Sequence, residues 1–146
     1  ALAATMMPQY YLQQHGLNVM KDIDVKYVGS QESSVMNVML GNTKAGATWP
    51  PPWRALSKER PELAKELKVI WQTTNLPNNS LVARNDINKL IVSEVKNLLL
   101  NLHNHKKGKE WLAKMELSKF ESANDDTYKS VVEFLERFNK EVRQIK

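Results

Sequence analysis

Cysteine is absent from the 146 residues, which excludes disulfides and thiolate metal sites and leaves the compartment open. No apolar run approaches the ~20 residues that a membrane-crossing helix needs. Nor does the chain hold a Ser-His-Asp grouping, a pair of catalytic carboxylates or a glycine-rich phosphate loop. Catalysis therefore has no support, and no cofactor is expected. His103 and His105 stand two apart, so a helix end turns them in different directions, and neither has a carboxylate at helical spacing. That argues against a metal site. Acidic residues are outnumbered, 16 against 21 basic, for a net charge of +5. The bases are spread along the chain, however, and their densest cluster, 105–109, reads as a solvated helix end rather than a nucleic-acid interface.

What is present suits one globular domain. A hydrophobic share of 42% and a charged share of 25% are ordinary for such a chain, and its length allows a proper core. The opening Ala1-Leu2-Ala3-Ala4, without methionine, reads as the start of a processed or partial chain. The stretch that organises the rest runs from Gly41 to Trp53. Gly41 ends a helix, residues 45–48 suit a short buried strand, and Trp49-Pro50-Pro51-Pro52-Trp53 forms a stiff aromatic loop. Each proline fixes φ and removes a backbone donor. A rigid loop at the C-terminal end of a strand is where open α/β sheets hold ligands, which makes Thr48 and Trp49 candidates; Trp49 and Trp53 capping a core is the plainer account.

Elsewhere the signals alternate. Residues 5–15 suit a helix with Thr5 as N-cap, Pro8 in its first turn and Gly16 as its stop. Residues 24–28 read as a strand, and Val35, Met36, Val38 and Met39 as the stripe of the next helix. Residues 53–67 are helical with a fresh start at Pro61. Strands follow at 67–71 and 81–84, separated by the turn-rich segment 73–80. A long helix capped by Asp86 or Asn88 carries Leu90, Ile91, Val95, Leu98, Leu99 and Leu102 on one face. A shorter helix at 107–115 and a last one from about 127 complete the chain. The last carries Val131, Phe134, Leu135, Phe138 and Val142 on its apolar face, and Asp125-Asp126 are its expected cap. The alternation of helix and strand predicts an α/β fold with a mostly parallel sheet flanked by helices.

Several stretches resemble a known family. They are Tyr10-Tyr11-Leu12 before His15-Gly16, Gly29-Ser30-Gln31-Glu32-Ser33-Ser34-Val35, and residues 41–47. Residues 76–86 (Leu-Pro-Asn-Asn-Ser-Leu-Val-Ala-Arg-Asn-Asp), Leu98-Leu99-Leu100-Asn101-Leu102-His103 before Gly108, and residues 120–128 continue the match. Together they resemble the second lobe and C-terminal part of phosphonate/phosphite-type ABC-transporter substrate-binding proteins. The resemblance implies a type 2 periplasmic binding fold of two lobes, of which this chain is an incomplete portion. Residues 1–80 would form the ligand-binding α/β region of lobe two. Residues 81–146 would supply the crossover strand and the C-terminal helices returning to lobe one. It also implies a periplasmic or extracytoplasmic protein, with a lipoprotein anchor as one variant, that binds a small solute without chemistry and delivers it to an ABC permease. An extracytoplasmic ligand-sensing domain of a signalling protein is the alternative.

The family's ligand residues are altered here. Its Ser-Thr-Ser-Gly run falls on Ala1 to Ala4, leaving Thr5 as the hydroxyl, and its histidine is Gln31. Its two acidic positions fall near Pro51 and on Asn79, which cannot pair with an ammonium group. The resemblance thus implies a solute other than an aminophosphonate, one with an anionic group at a helix N-terminus or a flat or apolar body for the tryptophan loop. The expected ligand residues are Thr5, Met6, Ser30, Gln31, Thr48, Trp49, Asn78 and Asn79. Each has a plainer account: Thr5 and Ser30 as helix caps, and Pro77-Asn78-Asn79 as a turn. The long helix's apolar face is expected to be covered by a second copy of the chain, as a homodimer, or by the chain's own sheet.

Overall fold

The computed structural model describes residues 2–145, leaving out Ala1, the first of the alanines expected near a ligand, and Lys146. Among the described residues 56% are helical and none belongs to a β-ladder. The expected α/β fold with its mostly parallel sheet is therefore overturned. The four segments read as strands, residues 24–28, 45–48, 67–71 and 81–84, lie outside regular structure. The reason is physical. A helix closes its hydrogen bonds within one segment, whereas a strand's N–H and C=O groups need a neighbour that its own alternation of side chains does not supply. Val69, Ile70 and Trp71 remain more than half exposed.

The helices are α1 (Met7–Gln14), α2 (Gln31–Met39), α3 (Pro50–Glu59), α4 (Pro61–Glu66), α5 (Lys89–Asn101), α6 (Lys106–Lys114) and α7 (Lys129–Glu141). Three local expectations are corrected. A wide π-type turn, Leu2–Met6, precedes α1, so Thr5 lies inside a helical turn and caps nothing. Pro50, Pro51 and Pro52 are the first turn of α3 instead of a loop, with Trp49 in its N-cap position. Proline is at home there: the N–H groups it lacks would have no helical partner, and its φ is already helical. Asn124, not the two aspartates, caps the turn leading into α7, through a reciprocal pair of bonds with Thr127 at 3.1 Å each.

The chain divides into two units, residues 1–75 with 131–146, and residues 76–130. In the first, Val35, Leu56 and Leu63 from α2, α3 and α4 form a buried cluster, with Met36, Met39, Trp53 and Leu67 packed around it. A second apolar focus joins α1 to α7. The Tyr10 and Phe134 rings meet edge to face at 5.5 Å, and Phe134 lies 6.1 Å from fully buried Phe138. Gln9, itself buried, ties this region to Tyr27 and Arg143.

The second unit holds α5, a short 3-10 turn (Leu102–Asn104) and α6, with Leu112 buried. Asn88 caps α5 as expected, accepting from the Leu90 N–H at 2.9 Å. Tyr128 Oη donates to the Asn78 carbonyl at 3.1 Å. The α5 stripe of Leu90, Ile91, Val95 and Leu98 is exposed, and the sheet expected to cover it does not exist among the described residues.

Candidate functional site

Two hollows in the first unit collect expected ligand residues. The smaller, of about 150 Å³, is lined by Gln31, Glu32 and Val35 of α2, by Thr48, and by Pro52, Ala55, Leu56 and Glu59 of α3. Local sequence explains the approach. Ser30 caps α2 by accepting from the Ser33 N–H at 3.0 Å, which sets Gln31 and Glu32 in the first turn. Gly46 then lets the incoming segment lie against α2, since a Cβ there would stand 2.8 Å from the Ser34 carbonyl oxygen and 2.9 Å from Val38 Cγ2. Two residues later comes Thr48, and the prolines start α3 at once.

Gln31 Oε1 and Thr48 Oγ1 are both shut off from solvent without a hydrogen-bond partner among the described residues. A buried polar atom left unpaired costs roughly 1–3 kcal/mol, so both atoms favour an incoming partner. Thr43 Oγ1, Ser57 Oγ and His103 Nδ1 share this state but line neither hollow. Two carboxylates, Glu32 and Glu59, complete the smaller hollow and make it acidic.

The larger hollow, about 620 Å³, is lined by Thr5, Met6, Met20, Tyr27, Arg143, Gln144 and Ile145. The other four expected ligand residues line neither hollow. Ser30 spends its hydroxyl on capping α2 and on Ser33 Oγ at 2.9 Å. Trp49 is 43% exposed, and the strand it was expected to end is absent. In the second unit, Asn78 engages Tyr128 through its backbone carbonyl, and Asn79 is exposed.

Sequence reasoning missed Glu32 and Glu59, and with them Tyr27 and Arg143. For Glu59 a signal existed. Positions 52, 55, 56 and 59 are one face of a helix (i, i+3, i+4, i+7), legible once the prolines are taken as a helix start.

Away from the hollows, an exposed ion pair shifts one carboxylate. The Arg84 guanidinium grips the Asp86 carboxylate through Nε at 2.9 Å and through Nη2, and holds its pKa below the ordinary carboxylate range. A depressed carboxylate pKa contributes stability that is present above the unfolded value and lost as pH falls through the folded one. Both side chains are largely exposed, so the contribution to folding is small. Carboxyl-detected NMR titration of the chain should give Asp86 a midpoint below that of an unstructured aspartate, and Arg84→Gln should bring it back up with little change in the unfolding midpoint. An Asp86 midpoint that ignores Arg84→Gln would dismiss the ion pair.

Comparison with known proteins bears on what the hollows serve. The profile of one family, described as "ABC transporter, phosphonate, periplasmic substrate-binding protein", matches residues 1–128. The chain belongs to this family. The family is one of substrate-binding proteins, not of enzymes. A probable ABC transporter phosphite binding protein, PhnD1, of Prochlorococcus marinus (strain MIT 9301) is 27% identical over 142 residues. That alignment covers 92% of this chain and 48% of the relative, so the chain spans about half the relative's length. No solved structure matches.

Proposed function

We propose that the chain is part of the solute-binding component of an ABC importer, acting outside the cytoplasm and handing a small solute to a membrane permease without chemistry. Family membership supports the class of function, and the relative's name supports a phosphorus oxyanion as the solute's core. The observation that carries the assignment to a place is the pair of buried, unpartnered atoms, Gln31 Oε1 and Thr48 Oγ1, at one small hollow.

The chemistry of that hollow narrows the solute. The Thr48 hydroxyl can donate to a phosphorus oxygen, and Gln31 can donate through Nε2 or accept through Oε1. Glu32 and Glu59 repel a bare oxyanion and attract a cation. They offer the negative charge that Pro51 and Asn79 lack, which turns the expectation of a solute other than an aminophosphonate the other way. A zwitterion with an ammonium group beside its oxyanion therefore suits the hollow better than phosphite alone.

Calorimetry on the chain with 2-aminoethylphosphonate and with phosphite tests this. The aminophosphonate should bind more tightly, and Thr48→Val or Gln31→Leu should each weaken it by about five- to a hundredfold, the worth of one buried hydrogen bond. Phosphite binding more tightly would reject the role of the carboxylates. Solute binding that survives both substitutions unchanged would place the site elsewhere.

A further inference from the structure

The larger hollow is organised by one buried side chain. Gln9 is 5% exposed, and it holds two of the residues that line the hollow. Arg143 can only donate, so its Nε, 3.3 Å away, fixes Gln9 Oε1 on its side. Gln9 Nε2 therefore faces Tyr27 and donates to Tyr27 Oη at 3.2 Å. With its oxygen accepting from Gln9, the Tyr27 hydroxyl keeps its own proton for another acceptor. The guanidinium is steadied a second time, 5.3 Å over the Phe138 ring, and a third time where Nη1 donates to the Gln144 carbonyl at 3.4 Å. No carboxylate pairs with Arg143 among the described residues, and its Nη2 hydrogens are uncommitted.

Met6, Met20 and Ile145 line the hollow together with this fixed cation and phenol, and Thr5 lines it as well. Met20 is 64% exposed and Ile145 45% exposed, so the hollow presents apolar surface to solvent beside a positive charge that no carboxylate among the described residues pairs with. We infer that this hollow binds a small organic carboxylate with an apolar body, the carboxylate on Arg143 and Tyr27 and the body against Met6, Met20 and Ile145. A carboxylate oxygen can accept from the uncommitted Nη2 hydrogens, and a single cation balances a single negative charge. The thioether side chains adapt to an aliphatic or aromatic body, and the volume falls in the range of small-molecule pockets. Neither Arg143 nor Tyr27 is among the residues that the family resemblance assigns to a ligand. The inference is independent of the smaller, acidic hollow, which would repel the same carboxylate.

The test is a titration of the chain with octanoate and with its uncharged counterpart 1-octanol, followed by the methyl NMR signals of Met6 and Met20. Octanoate should saturate these signals, and 1-octanol should bind at least about tenfold more weakly, the loss of a charge-assisted contact. Arg143→Gln should remove that preference. Because Arg143 also braces Gln9, Met20→Glu serves as a second variant: it changes an exposed position, leaves the guanidinium in place, and should weaken octanoate at least about tenfold through like-charge repulsion and lost apolar contact. Equal affinity for octanoate and octanol, octanoate binding unaffected by Met20→Glu, or no saturation at millimolar octanoate would overturn the inference.

Discussion

Replacing Phe138 with alanine is expected to lower the stability of the first unit by about 3–5 kcal/mol, the usual cost of emptying a buried aromatic site. Phe138 has no exposed surface, packs against Phe134 at 6.1 Å between ring centres, and is the platform for the Arg143 guanidinium at 5.3 Å. It therefore backs Phe134, the ring that meets Tyr10 of α1, and steadies Arg143, which lines the larger hollow. Domains of this size keep only about 5–15 kcal/mol in total, so the loss is a large share of the whole. Phe138→Leu keeps most of the volume and should lose less. Val132, earlier in the same helix on its solvent face and 53% exposed, sets the comparison, with Val132→Ala expected to stay within about 0.5 kcal/mol. Urea unfolding followed by far-ultraviolet circular dichroism reads all three. If Phe138→Ala unfolds at the same urea concentration as Val132→Ala, the packing of α7 described here is wrong.

Phe138 also shows how much was legible beforehand. Its helix follows from the spacing of Val131, Phe134, Leu135, Phe138 and Val142: the first four are the buried or half-buried positions of α7, and half-buried Val142 comes just past its end. The same spacing rule located α5 equally well, yet its stripe of Leu90, Ile91, Val95 and Leu98 is exposed. Periodicity reports which face could be buried, not whether a cover exists. The strands failed for a related reason, since residues 67–71 carry strand-like side chains but their ladder partner is not written in their own sequence. For the smaller hollow, Gln31 was named from a helix start and Thr48 from a strand end. The helix start is there. Thr48 reaches the hollow by another route, through Gly46 and the proline-led start of α3, and reading those prolines as a loop hides Glu59.

Gly108→Ala carries the second large effect, and its sign runs against the ordinary rule. In the interior of an exposed helix, alanine is better than glycine by about 1 kcal/mol because it restricts the unfolded chain and favours the helical state. Gly108 lies in the first turn of α6 and is buried, where the chain folds back on the 3-10 turn that ends α5. A Cβ at this position would collide with the Leu102 carbonyl oxygen, stand 2.8 Å from its carbon and 3.1 Å from Leu102 Cδ1. The side-chain atom could swing away, but the carbonyl cannot. Its oxygen accepts from the His105 N–H at 3.2 Å, and His105 in turn accepts from the Lys109 N–H at 2.9 Å, so moving Leu102 loosens the turn and the start of α6 together. Overpacking of this kind typically costs about 1–3 kcal/mol, and a clash with backbone belongs at the upper end. The clash therefore outweighs the propensity gain, and the second unit should lose stability. Amide hydrogen exchange across α5 and α6 would show it as faster opening of both helices in the variant. Slower exchange in α6 would mean that propensity wins, and that the close approach of Gly108 to Leu102 is not a fixed feature of the fold.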